Sequence, residues 1–114
     1  MSEAEALFAG KDAAALETYR ALIAAIRPFG PFAEEAKKTS IHLARKSAFG
    51  GVHPRKSGLL LVIRTDRPIE SARVRKLERV SANRWHNELL LSAPEEVDDE
   101  VVGWLKAGYA LSGG

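Results

Sequence analysis

Three histidines, His42, His53 and His86, are the side chains of this sequence whose charge changes near neutral pH, and each lies in a segment with strand-like alternation. A sheet that brought them together would offer imidazoles for metal ligation, or a general base beside Glu88, although their spacing follows no metal-ligand signature. A second candidate is acidic: Glu95, Glu96, Asp98, Asp99 and Glu100 gather the carboxylates that hard cations such as Fe²⁺ or Mg²⁺ prefer. Acids in the first turns of a helix also stabilise that helix by themselves, so this cluster has a purely structural explanation too. The sequence contains no G-x-S-x-G elbow, no H-E-x-x-H, no G-x-x-x-x-G-K-[ST] loop and no G-x-G-x-x-G turn. Cysteine is absent, which removes disulfides, thiolate catalysis and cysteine-ligated metals. A non-enzymatic chain with no catalytic residue, metal or cofactor is the expectation.

The third candidate is electrostatic. Residues 37–86 carry 13 basic side chains against Asp66, Glu70 and Glu78, a net +10, while the flanks carry −8. Two readings fit this surplus. Long basic side chains can cover the solvent face of a sheet and be neutralised by acidic helices. Alternatively, the surface collects an anion, with nucleic acid foremost. On that reading Lys38, His42, Lys46, His53, Arg55, Lys56 and Arg64 form the binding face: Lys38, Ser40 and His42 share the outward side of one strand, and His53 and Arg55 end the next. Backbone N–H groups near Gly50 and Gly51 would let a phosphate approach, and Phe49 would stack on a base if it were not core. Burial of Phe49 is the stronger expectation. A metal carrier or small-molecule protein using the histidines or the acidic helix, and a protein-interaction domain, are the alternatives.

The elements that must position these groups follow from periodicity. Asp12 as N-cap and a stripe of Leu16, Tyr19, Leu22, Ile23 and Ile26 predict a helix over 13–27, stopped by Pro28. Phe29 and Phe32 flank a rigid turn and are placed at the helix-to-sheet junction. Alternation from Thr39 to Ala44 predicts a strand, Ala48–Pro54 a second, and Leu59–Ile63 a central strand covered on both faces. Residues 66–81 fit a helical turn almost as well as an extended segment and are read as an irregular piece leading into a strand. Trp85 to Leu91 is the last strand. Ser92 with Glu95 predicts a capping box for a C-terminal helix whose buried stripe is Val97, Val101, Trp104, Leu105 and Tyr109.

The expected architecture is α+β: an antiparallel meander of about four or five strands flanked by N- and C-terminal helices. The 114 residues form a single domain, with residues 1–11 as a segment able to fray. No apolar run approaches the roughly 20 residues of a membrane span, and the acidic N-terminus lacks signal-peptide character. A cytoplasmic protein without membrane association is expected; the oligomeric state stays open.

The segment GPFAEEAKKTSIHLARKSAFGGVHPRKSGLLLVI, residues 30–63, resembles a small bacterial family of unknown function. Its features are a Gly-Pro turn, a K-T-x-I strand start, a Phe-containing second strand and a following apolar strand. The V-D-D-E-V-V-G-W-L-K-x-x-Y stretch, within Trp85 to Tyr109, is similar to the end of the same family. That family occurs alone and appended to restriction-endonuclease-like nucleases, which implies a nucleic-acid-associated or ligand-sensing accessory module. It is distantly similar to small α+β families described as iron-chaperone-like or as predicted double-wing DNA binders. The resemblance maps no catalytic motif onto this chain.

Overall fold

The computed structural model describes residues 2–113. Its elements are α1 (Glu3–Ala6), α2 (Ala13–Ile26), β1 (Ala33–Ala36), β2 (Ile41–Ala44), β3 (Ala48–Pro54), β4 (Leu59–Thr65), β5 (Lys76–Ser81), β6 (Arg84–Leu91) and α3 (Asp99–Leu111). The six strands form one antiparallel sheet in the order β1-β2-β3-β4-β6-β5, so the final hairpin turns back to place β5 at an edge. The fold class is the expected one, α+β with terminal helices, and the sheet is slightly wider than the expected four or five strands.

The extra strand is β1, whose sequence Ala-Glu-Glu-Ala has no β-branched or aromatic residue. Its pairing with β2, Ala33 to Ala44 and Ala36 to Ile41, makes it extended despite that composition. Residues 66–75 are irregular and lead into β5, as expected.

Alternation along β4 decides the layering. Leu59, Leu61 and Ile63 are fully buried, and their neighbours Leu43, Phe49, Val52, Leu89 and Leu91 are buried with them. Onto this face pack Leu22 and Ile26 of α2 and Val101 and Leu105 of α3. The intervening residues Val62 and Arg64 are only half-buried, because all three helices lie on the other side. The expected double covering of Leu59–Ile63 is thus confined to its first half: Leu60 is buried and Val62 faces the open side.

Gly108 allows α3 to press on the sheet. A Cβ at that position would lie 2.6 Å from the Arg64 carbonyl oxygen and 3.3 Å from that of Phe49. Phe49 is fully buried, as expected, edge-on to Tyr109 at 5.4 Å and to Phe32 at 6.0 Å. Phe29 meets Tyr109 at 5.6 Å, so the two phenylalanines do join helix and sheet.

Two local expectations are corrected. Within the expected frayed segment 1–11, of which Met1 lies outside the described residues, residues 2–11 are not loose: Ala4 and Phe8 are buried, and Phe8 sits 5.1 Å from the ring of Tyr19. The cap of α3 is Asp98, whose carboxylate accepts from the Val101 N–H at 3.1 Å, not the Ser92–Glu95 box. Pro94–Glu96 form a 3₁₀ turn instead, and the Ser92 N–H donates to Glu96 Oε1 at 2.6 Å. Val97 (φ −82°, ψ 73°) and the extended Asp98 (φ −101°, ψ −178°) leave the helical region, so the turn after Ser92 ends before the long helix opens.

Candidate anion site on the open face of the sheet

Strand register sets the rows of the uncovered face. One row runs Glu35, His42, Gly51, Val62, Glu88, Lys76 across all six strands. Beside it lies Arg64 opposite His86, itself opposite Glu78. Arg84 stands two residues before His86 on the same side of β6, and His53 is opposite Leu60 on the far side of the first row. Together His42, His53, Arg64, Arg84, His86 and Glu88 ring a concavity of about 310 Å³. Gly51 and Val62 form its floor. All three histidines reach this concavity from three different strands.

Glycine makes the depression. A Cβ on Gly51 would find only ordinary contacts, Ile41 O and Val62 Cβ at 3.9 Å each, so the position is open space above the sheet. Both Gly50 and Gly51 pair with β2 on one side and β4 on the other. Their N–H groups therefore belong to the ladder, and the expected phosphate approach to free backbone donors near them does not arise; the glycines contribute room.

The cationic groups cluster at one end. Arg64 Nη1 donates to Ser47 Oγ at 2.7 Å and to the Ala48 carbonyl at 3.4 Å, which fixes the guanidinium over the β3 bulge. Burial, and then the charge of Arg84, push the Arg64 pKa down. His86 is held below its ordinary value by burial first and by Arg84 next, against the smaller opposing pull of Glu78. Glu78 Oε1 is 3.8 Å from His86 Nδ1. Arg84 Nε is buried and has no hydrogen-bond partner among the described residues. Arg84 is thus close enough to disfavour the charge of both Arg64 and His86, with no carboxylate in salt-bridge contact with either arginine among the described residues.

Of the seven residues expected to form the binding face, His42, His53 and Arg64 line the concavity. The other four do not. Lys38 lies in the β1–β2 connection, because the strand begins at Ile41 and not at Thr39. Lys46 is in the β2–β3 turn, whose N–H groups at Lys46 and Ser47 donate to the Ser112 carbonyl. Arg55 and Lys56 are in the β3–β4 turn at the opposite end of the sheet. Arg84 was missed by sequence reasoning. The signal was present: counting by twos from His86 puts Arg84 on the same face, beside Arg64 across the ladder.

Several other basic residues are structural. Arg73 grips Asp98 at 2.9 Å and Glu100 at 3.1 Å and donates to the Glu96 carbonyl at 3.0 Å. Arg45 caps α3, donating to the Tyr109 carbonyl at 2.8 Å with its guanidinium 4.0 Å over that ring. Arg73 also occupies much of the acidic cluster expected to attract a cation. Among the described residues, no three of His, Asp and Glu converge as metal ligands. No helix among them is long and apolar enough to cross a membrane.

A family model described as "Domain of unknown function (DUF5655)" matches residues 4–112. No curated protein and no solved structure gives a significant match.

Proposed function

The chain belongs to the DUF5655 family of domains of unknown function, and from that premise we propose that it is a non-enzymatic module that binds an anionic ligand, nucleic acid foremost, on the open face of its sheet. One observation carries this reading: Arg64 and Arg84 line one concavity on the face opposite the helical core, without carboxylate salt-bridge partners among the described residues. A cation pair kept unneutralised beside a shared depression raises the local anion concentration and gains most when an anion arrives. The turn cations Lys38, Arg55 and Lys56 at one end and Lys46 at the other extend the positive potential beyond the concavity. The resemblance to modules appended to nucleases points the same way, and the reading carries with it a cytoplasmic location.

The test is binding of a labelled single-stranded oligonucleotide by anisotropy at several salt concentrations. Engagement of about three phosphates predicts affinity falling roughly 20-fold between ~50 and ~200 mM salt. Absence of binding at low salt, or binding indifferent to salt, removes the proposal.

A second reading, a protein-interaction domain, rests on β5. All six of its residues are exposed, Leu77 at 46% and Val80 at 48%, on an edge strand with an unpaired outer side. Light scattering across salt and concentration checks it, and a monomer at every condition counts against self-association.

A further inference from the structure

The charge on the open face is not a continuous track, and this bears on what the site accepts. Arg64, Arg84 and His86 form a compact cationic end, but the next row holds Glu88 and Glu35, and the row beyond pairs His53 with the apolar Leu60 and Leu90. Lys76, at the end of the Glu88 row, stands 4.0 Å from that carboxylate and is matched by it, and positive charge resumes past the His53 row at Arg55 and Lys56. A run of phosphodiesters laid along the strands would pass from arginines onto carboxylates. A single, doubly charged group fits better: it can take several donors at once at the cationic end while its remainder extends over the glycine floor.

We propose that Arg64, Arg84 and His86 form a binding site for one phosphomonoester dianion, such as the terminal phosphate of a nucleic acid strand or of a mononucleotide. This deepens the anion-binding reading and rests on it. Arg84 lines the same concavity, and its Nε has no hydrogen-bond partner among the described residues, so a small turn of the side chain toward an anion breaks no existing bond of that donor. The observed bonds of Arg64 use Nη1 alone, on Ser47 and Ala48, so its guanidinium is anchored from one side and presents the rest. A monoester offers three peripheral oxygens and nearly two charges, where an internal diester offers two oxygens and one charge. The remainder of the ligand meets Val62, Gly51, His42 and Glu88, of which Glu88 can accept from a sugar hydroxyl or base amine.

His86 makes the site proton-linked. The groups facing it are Arg84 and Glu88 on its own strand, Arg64 from β4, and Glu78 and Lys76 from β5. With the site empty, burial and the two arginines favour the neutral imidazole; a bound dianion offsets the arginines and favours the protonated one. Ligand and proton therefore bind cooperatively, and each raises the affinity for the other.

The experiment uses the whole chain and two readouts. In the first, anisotropy compares one oligonucleotide with and without a 5′-phosphate. The phosphorylated strand should bind about tenfold tighter, and Arg84→Ala should abolish the difference. In the second, NMR follows the His86 ring in the unsubstituted protein during titration with inorganic phosphate or with sulfate, which stays dianionic across the range. The His86 pKa should rise with either anion, and sulfate should bind more tightly as pH falls from about 8 to about 5.5. Equal, salt-dependent binding of both oligonucleotides leaves the nucleic-acid reading standing and overturns the monoester site. Failure of both oligonucleotides, with phosphate still shifting His86, removes nucleic acid and keeps the site for smaller phosphates. A His86 ring indifferent to both anions overturns the proposal without any substituted protein.

Discussion

Asn87 Oδ1 accepts a hydrogen bond from the backbone N–H of Ile69 at 2.9 Å, while its Nδ2 donates to the Ile63 carbonyl and to Thr65 Oγ1, both at 2.8 Å. The amide is fully buried on the helical side of β6, and it holds the irregular stretch after β4 against the sheet. Replacement by Leu keeps the branched shape but leaves the Ile69 N–H without its partner, at a cost of about 3 kcal/mol. Chemical denaturation should show that loss, and hydrogen exchange should show the Ile69 amide losing most of its protection. An unchanged Ile69 amide would mean that the loop is held by something else.

The two glycines within α3 should respond in opposite directions. A Cβ at Gly108 meets the Arg64 and Phe49 carbonyls, whereas one at Gly103 meets nothing within 4 Å. Gly108→Ala must push the helix off the sheet and should cost roughly 2 kcal/mol. Gly103→Ala, on an exposed helical position, should stabilise by about 0.5–1 kcal/mol. Thermal melts of the two variants decide this, and equal effects would contradict the packing.

Asp98 links stability to acid pH. Its carboxyl lies below the ordinary value because it accepts from the Val101 N–H and, next, because Arg73 is beside it. A depressed carboxyl contributes fully above its unfolded pKa, near 3.8, and that contribution disappears as pH falls through the lower folded value. Asp98→Ala should lose about 1 kcal/mol at neutral pH. The gap between variant and parent should narrow as pH falls below 3.8 and through the lower folded value, as followed by urea unfolding across the acid range.

His86 gives a second window with the same sign. Its folded pKa is depressed below 6.5, so the neutral ring's contribution is complete above that value and erodes as pH falls through the folded pKa. Melting temperature should therefore decline in mild acid, and His86→Gln should flatten that part of the profile.

Filling the floor separates site from fold. Gly51→Val places methyl groups where only ordinary contacts exist, in a strand that favours β-branching. Melting should change little, while anion affinity should drop about tenfold or more through lost volume. Full binding by this variant would place the ligand elsewhere.

Much of this arrangement was legible beforehand. The helix over 13–27, the strand Ala48–Pro54 and the last strand each agree with the structure to within a residue: periodic large apolar side chains mark the helix and the last strand, and Pro54 with the turn residues after it bounds Ala48–Pro54. β1 was not legible, since Ala-Glu-Glu-Ala has no strand preference and is extended only by pairing with β2. The lining of the candidate concavity was half legible. His42, His53 and Arg64 were identified by type and by alternation, but the sequence does not say which strands are neighbours. Only the crossing of the last hairpin, which sets β6 beside β4, brings Arg84 and His86 to Arg64. Lys38, Lys46, Arg55 and Lys56 were grouped with them because turns beside strands look continuous with those strands in sequence.

β4 carries the core on Leu59, Leu61 and Ile63 and the open face on Val62 and Arg64. Its two jobs are interleaved at single-residue spacing. Substitutions at 62 and 64 can rewrite what the face accepts while leaving the packing alone. Insertion or deletion of one residue within the strand would exchange Ile63 for Arg64 beneath α3 and lose fold and ligand together. New specificities in this lineage can therefore arise by replacement along β4, and length changes must be absorbed in the turns at either end.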